Sequence, residues 1–254
     1  MRYPTDAAAR ALAVLMLFTL FAGDFWRNLI GWWGYLALVA VIAALAAVLM
    51  TRRRLWSKLA IWRLPRTLVL FGLLAVASLA WSFYPGATAL GLLAQAATTL
   101  GALFLVTALS WPQLIAALSS ALTWILGLSV LFELIVALFV RAPVLPFWTD
   151  YSGQAVPKAF YWSQGALFTG DPIQGILGNR NLLAFVALLA LITVGVQLAQ
   201  GLRRRNPAIA WLVVAVLVLA LTRSATAIGA LVVTTVVLGA LLLARRVGPG
   251  RRCH

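Results

Sequence analysis

Residues 208–243 read AIAWLVVAVLVLALTRSATAIGALVVTTVVLGALLL, and the way this stretch is divided decides the fold. Its 36 residues are apolar throughout except for the polar break LTRSATA at 221–227. One continuous helix of that length would be about 54 Å long, nearly twice the roughly 30 Å of hydrocarbon in a bilayer. A single crossing would also leave Arg245, Arg246, Arg251 and Arg252 outside, whereas Lys and Arg near span ends accumulate on the cytoplasmic side. The stretch therefore predicts a helical hairpin whose turn carries Thr222, Arg223, Ser224 and Thr226. Its first arm, 208–222, would be about 22 Å long, which sets the turn slightly below the outer surface and holds a cation at headgroup depth.

Apolar runs of similar length fill the rest of the chain, near 7–23, 29–50, 67–84, 88–110, 114–140 and 182–200. With the two arms of the hairpin they predict an all-α polytopic bundle of about eight spans, forming one integral membrane domain over 1–254. The first run lacks a clear small-residue cleavage site and is read as a retained span. The composition agrees. Of 254 residues 64% are hydrophobic and 10% charged, against roughly 45–50% and about 25% in soluble domains, so there is too little polar surface to coat a soluble enzyme.

The formal charge of +15 does not point to nucleic acid, because the cations lie in short clusters between the spans. Fifteen of the 20 fall at Arg2 and Arg10, at Arg52, Arg53, Arg54, Lys58, Arg63 and Arg66, at Arg203, Arg204 and Arg205, and at the four C-terminal arginines. These clusters occupy alternate connections. They predict that both termini are cytoplasmic, and leave Arg27, Arg141, Lys158, Arg180 and Arg223 outside.

The single cysteine, Cys253, excludes an internal disulfide, and the single histidine, His254, lies on the cytoplasmic tail. The scattered carboxylates show no ligand spacing, so neither a metal nor another cofactor is expected. Asp24 and Arg27 stand three apart, the spacing of an ion pair on a helix, and suit an interfacial anchor. Glu133 lies inside the fifth span among Leu131, Phe132, Leu134 and Ile135. A carboxylate in lipid requires a partner, a cavity or a function. Structural pairing and a catalytic role both remain open for it.

Between the fifth and sixth spans lies the one long external loop, 141–181, with Pro143, Pro146, Pro157 and Pro172 and several glycines. Such a loop forms turns rather than one helix and carries function more often than its length alone requires. Its aromatic residues suit a loop lying on the lipid headgroups or a face that stacks on sugar rings, and on the second reading Trp148, Tyr151, Lys158, Tyr161 and Trp162 form the glycan-facing set. Asp150, Asp171 and Lys158 read individually as solvated charges. At the end of the loop, GNRN at 178–181 opens the sixth span. Asn179 or Asn181 can cap the new helix, and Arg180 is delivered beside its N-terminus, where a cation and a helix end together suit an anion.

The segment GNRNLLAFVALLAL, followed one span and one basic turn later by LALTRSATAIGALVV, resembles the O-antigen ligase and O-antigen or exopolysaccharide polymerase family over about 170–243. The resemblance implies a metal-independent membrane glycosyltransferase. Such an enzyme takes a glycan from undecaprenyl pyrophosphate at the outer face of the cytoplasmic membrane and joins it to an acceptor sugar. Carried onto this sequence, it implies that Arg180 and Arg223, with Asn179, Asn181 and Ser224, bind the pyrophosphate. Glu133 and Asp171 are the implied catalytic carboxylates, with Asp150 a further candidate. Arg223 here precedes Ser224, where the family's Ser-Arg form places arginine after serine.

The resemblance also implies a larger external loop and further spans, so this chain reads as a truncated product, a short relative, or half of a two-part enzyme whose partner chain supplies them. Two non-enzymatic readings stand beside it: a membrane subunit of a polysaccharide assembly system, and a small transporter. The second would call for paired broken helices with polar groups at mid-membrane, whereas Gln95, Thr98, Thr99, Thr123 and Trp124 are scattered and uncharged.

Overall fold

The computed structural model describes residues 7–59, 66–148 and 156–247; Asp150 and Tyr151 lie outside these residues. Among them the chain is helical, with eight α-helices and a single isolated antiparallel bridge between Val144 and Ser163. The helices are α1 (Ala7–Phe21), α2 (Gly23–Arg52), α3 (Arg66–Ala77), α4 (Pro85–Ala108), α5 (Trp111–Ile135), α6 (Arg180–Ala199), α7 (Arg205–Thr222) and α8 (Ala225–Val247). Each apolar run of the sequence becomes one of them. Five are long and apolar enough to cross a membrane: α2, α4, α5 with the turn that extends it to Val140, α6 and α7. Three are shorter apolar helices, at Ala7–Phe21, Arg66–Trp81 and Ala225–Leu241.

Two compact units divide the chain, Met1–Ala121 and Leu122–His254, with the division falling inside α5. In the first, α1, α2 and α4 pack together around Leu12, Leu17, Ala46, Met50 and Phe104. The first two apolar runs leave 24–28 between them, but helix resumes at Gly23, and the break comes later, at Gly31 (φ 74°, ψ 176°). That backbone region is open to glycine and closed to almost every other residue, whereas nothing in DFWRNLI stops a helix. The expected ion pair forms at the start of α2, with Arg27 Nη1 3.0 Å from Asp24 Oδ1 and the guanidinium over the Trp32 ring at 5.1 Å. No residue of α3 is buried, and Leu70, Phe71, Leu73 and Leu74 all point outward.

The second unit holds the second half of α5 and all of α6, α7 and α8. Leu122, Ile125, Leu126, Ser129 and Glu133 are buried at spacings of three and four, which place them on one face of α5. A single π-helical turn, Val136–Val140, ends this helix, and Arg141 closes it in the left-handed region. α6 is the most enclosed helix of the unit and packs against both α7 and α8. Beyond Ala227, α8 exposes Val232, Val233, Val236 and Val237.

Among the described residues three other than glycine adopt positive φ, and all three are arginines at helix ends: Arg54 (φ 52°) after α2, Arg141 (φ 53°) after α5 and Arg223 (φ 47°) after α7. A left-handed L-residue costs roughly 1–2 kcal/mol, and helices usually end on glycine for that reason. A cation gains part of this back from the negative end of the helix dipole. Arg141 adds a direct bond, its Nε donating to the Leu138 carbonyl at 3.0 Å.

Candidate functional site

Glu133 is 1% exposed, and its carboxylate holds the loop between α5 and α6. The Ser163 hydroxyl donates to Oε2 at 2.9 Å, while the backbone N–H groups of Gln174 and Gly175 donate to Oε1 at 3.1 and 2.7 Å. One turn earlier on the same face, Ser129 Oγ accepts from the Ile176 N–H at 3.3 Å. Hydrogen bonds to an ionised acceptor are about twice as strong as neutral ones, and a carboxylate offers about four lone-pair sites. Three donors therefore make burial of this group tolerable.

Gly175 permits the approach. Its φ is 58°, and a Cβ there would lie 2.6 Å from Ser129 Cβ and Oγ. A second tie comes from Trp162, 3% exposed, whose Nε1 donates to the Ile176 carbonyl at 2.8 Å while its ring lies against Phe132 and Phe147. The Val144–Ser163 bridge closes the base of the loop.

The starts of α6 and α8 are joined by one side-chain bond, Ser224 Oγ donating to Asn181 Oδ1 at 2.8 Å. Asn179 is the cap of α6, its Oδ1 accepting from the N–H groups of Asn181 and Leu182 at 2.9 and 3.3 Å. The Ser224 oxygen accepts from the Ala227 N–H at 3.4 Å and so caps α8 in turn. Arg180 and Arg223 stand one peptide before the joined pair, and both are exposed. The loop reaches this place as well: the Ile173 N–H donates to the Leu221 carbonyl at 3.3 Å, in the last turn of α7. A Cβ built at Gly170 would lie 3.9 Å from Arg223 Nη2.

This geometry sorts the residues expected from sequence. Asn181 and Ser224 are bonded across the starts of α6 and α8, Asn179 caps α6, and Arg180 and Arg223 each precede one member of the bonded pair in sequence. The helix-end reading needs correction, because Asn179 already occupies two N–H groups of α6; positive charge here comes from the guanidinium groups. Asp171 is exposed beside Gly170. Glu133 is held in the interior with both oxygens engaged, which gives it a holding task rather than contact with an acceptor hydroxyl.

Trp162 does not face a glycan: it is buried in the base of the loop by its ring contacts and its bond to Ile176. Trp148, Phe160 and Lys158 are exposed, and Tyr161 is half-buried. Sequence reasoning passed over Ser129, Ser163 and Gly175. The signal for Ser129 was its spacing of four from Glu133, two polar groups on one otherwise apolar helix face.

No family model, curated protein or solved structure matches this chain. The chemistry of the site therefore rests on its own residues. Among the described residues of the 141–181 segment and the α7–α8 turn, the exposed cations Arg141, Lys158, Arg180 and Arg223 outnumber the one exposed carboxylate, Asp171. Such an excess of cations beside low-dielectric helices attracts and retains anions, and guanidinium groups fit phosphate oxygens in pairs.

Proposed function

We propose that this chain is a polytopic membrane protein of the bacterial cytoplasmic membrane, with eight crossings and both termini inside. It binds an undecaprenyl-pyrophosphate-linked glycan at the outer face and transfers the glycan to an acceptor sugar, in the manner of O-antigen ligases and polymerases. The observation that carries this reading is the 2.8 Å bond between Asn181 and Ser224. It joins two motifs more than forty residues apart and brings together the chain segments bearing Arg180 and Arg223. The outward-facing apolar side chains of α3 and α8 support the membrane setting.

In the transfer, an acceptor hydroxyl oxygen bonds to the anomeric carbon as its bond to the pyrophosphate oxygen breaks. The bonding pair leaves with the lipid pyrophosphate. Arg180 and Arg223 stabilise the charge gathered there, and Asp171, exposed on the same loop, takes the acceptor proton. Trp148, Tyr151, Lys158 and Tyr161 contact the glycan. A partner chain can contribute further spans to the assembly.

The test is purified protein in lipid nanodiscs with a polyprenyl-pyrophosphate glycan donor and a sugar acceptor. Wild-type protein is expected to bind the donor and release lipid pyrophosphate, with Arg180→Ala and Arg223→Ala each losing most of both. Binding without transfer would favour the non-catalytic assembly subunit. Equal binding by both Ala variants and the wild type would overturn the proposal.

A further inference from the structure

Glu133 is the one carboxylate among the described residues that is fully buried, and it takes no direct part in the chemistry proposed above. Its three donors all come from the external loop, at Ser163, Gln174 and Gly175. Those contacts fix both ends of the stretch 163–175, and between them lies the turn at Gly170 (φ 85°), where an added Cβ would come within 3.9 Å of Arg223 Nη2. The same stretch bonds to the last turn of α7 through Ile173 and Leu221, two residues before Arg223. A path of bonds thus runs from the Glu133 carboxylate through the loop to Leu221, two residues before Arg223, and the Gly170 turn on that path lies near the guanidinium.

We propose that Glu133 is a positioning residue: by holding the 163–175 stretch from inside α5, it sets the placement of the Arg223 guanidinium at the outer end of the bundle. Arg223 needs such support because its own backbone is in the unfavourable left-handed region (φ 47°, ψ 35°), and a long side chain on a strained turn has many rotamers to lose. The importance of this placement for catalysis rests on the pyrophosphate reading; the placement itself does not.

The experiment therefore has one arm without ligand and one with it. In the first, the full-length protein is treated with the guanidine reagent phenylglyoxal, and labelling rates of Arg223 and Arg180 are followed by peptide mass spectrometry in wild type, Glu133→Ala, Glu133→Gln and Gly170→Val. Glu133→Ala should change the rate at Arg223 severalfold and leave Arg180 unchanged. Glu133→Gln, which keeps an acceptor for the two backbone N–H groups, should lie closer to wild type. Gly170→Val should disturb Arg223 with Glu133 intact, which keeps the test decisive if Glu133→Ala does not fold.

In the second arm, geranylgeranyl pyrophosphate binding is measured for Glu133→Ala, Arg223→Ala and the double variant. The double variant should bind no more weakly than Arg223→Ala alone. Unchanged Arg223 labelling in Glu133→Ala and Gly170→Val would overturn the positioning role. Failure of wild-type protein to bind the probe would instead count against the pyrophosphate reading, with the labelling arm still deciding the role of Glu133.

Discussion

Replacing Arg223 by glycine separates what this residue does for the fold from what it does for a ligand. In the structure Arg223 ends α7 at φ 47° and ψ 35°, conformational space where an L-residue carries about 1–2 kcal/mol of strain. Glycine removes that strain but adds freedom to the unfolded chain, a penalty of about 0.4–1 kcal/mol. It also gives up a cation at the end of the α7 dipole, about 0.3–1 kcal/mol at an exposed site. These terms nearly cancel, so Arg223→Gly should unfold within about 1 kcal/mol of wild type. Its turn bonds, from the Arg223 N–H to Ala220 and from the Ile228 N–H to Ser224, use backbone atoms that glycine retains.

Binding should respond differently. Loss of a guanidinium that pairs with a phosphate oxygen removes a charged hydrogen bond of about 1.5–3 kcal/mol, equivalent to roughly 10- to 150-fold in affinity. Thermal unfolding followed by tryptophan fluorescence and titration with a polyprenyl pyrophosphate, both in the same detergent, would measure the two quantities side by side. Wild-type affinity in a stable Arg223→Gly protein would refute the ligand role of Arg223, and a large loss of stability would refute the strain argument.

Two further substitutions test the loop. Gly175→Ala adds a Cβ 2.6 Å from Ser129 at a positive-φ position; a cost of at least 1–2 kcal/mol is expected, visible as a lower unfolding temperature and faster protease cleavage within 156–178. Trp162→Phe keeps a ring beside Phe132 and Phe147 but leaves the Ile176 carbonyl without its 2.8 Å donor. That should cost about 1–3 kcal/mol, and protease resistance of the loop equal to wild type would count against the role assigned to this bond.

The helices were legible because membrane-length apolar runs and basic connections are local features, and every run became a helix. Finer boundaries were less so. Gly31 breaks α2 by a backbone conformation that its neighbours do not announce, and a chain with 19 glycines offers many equivalent candidates. At the site, Asn179 was legible as a cap since capping depends on residues two and three positions away. The partners of Glu133 were not. Gly175 lies 42 residues from it and Ser163 lies 30, and no periodicity links them. Trp162 was misplaced for a related reason: an aromatic residue in a polar, proline-rich loop reads as outward-facing until the carbonyl of Ile176, 14 residues away, supplies a partner for its indole.

The arginines at 54, 141 and 223 make one residue answer for two specifications at once. Each helix end and each local cation share a single address, so a one-residue insertion or deletion beside them would shift the left-handed turn and the charge together. Length changes in these connections are therefore more disruptive than their exposure suggests, and natural variation there is better accommodated by exchange of side chains than by slippage of the chain.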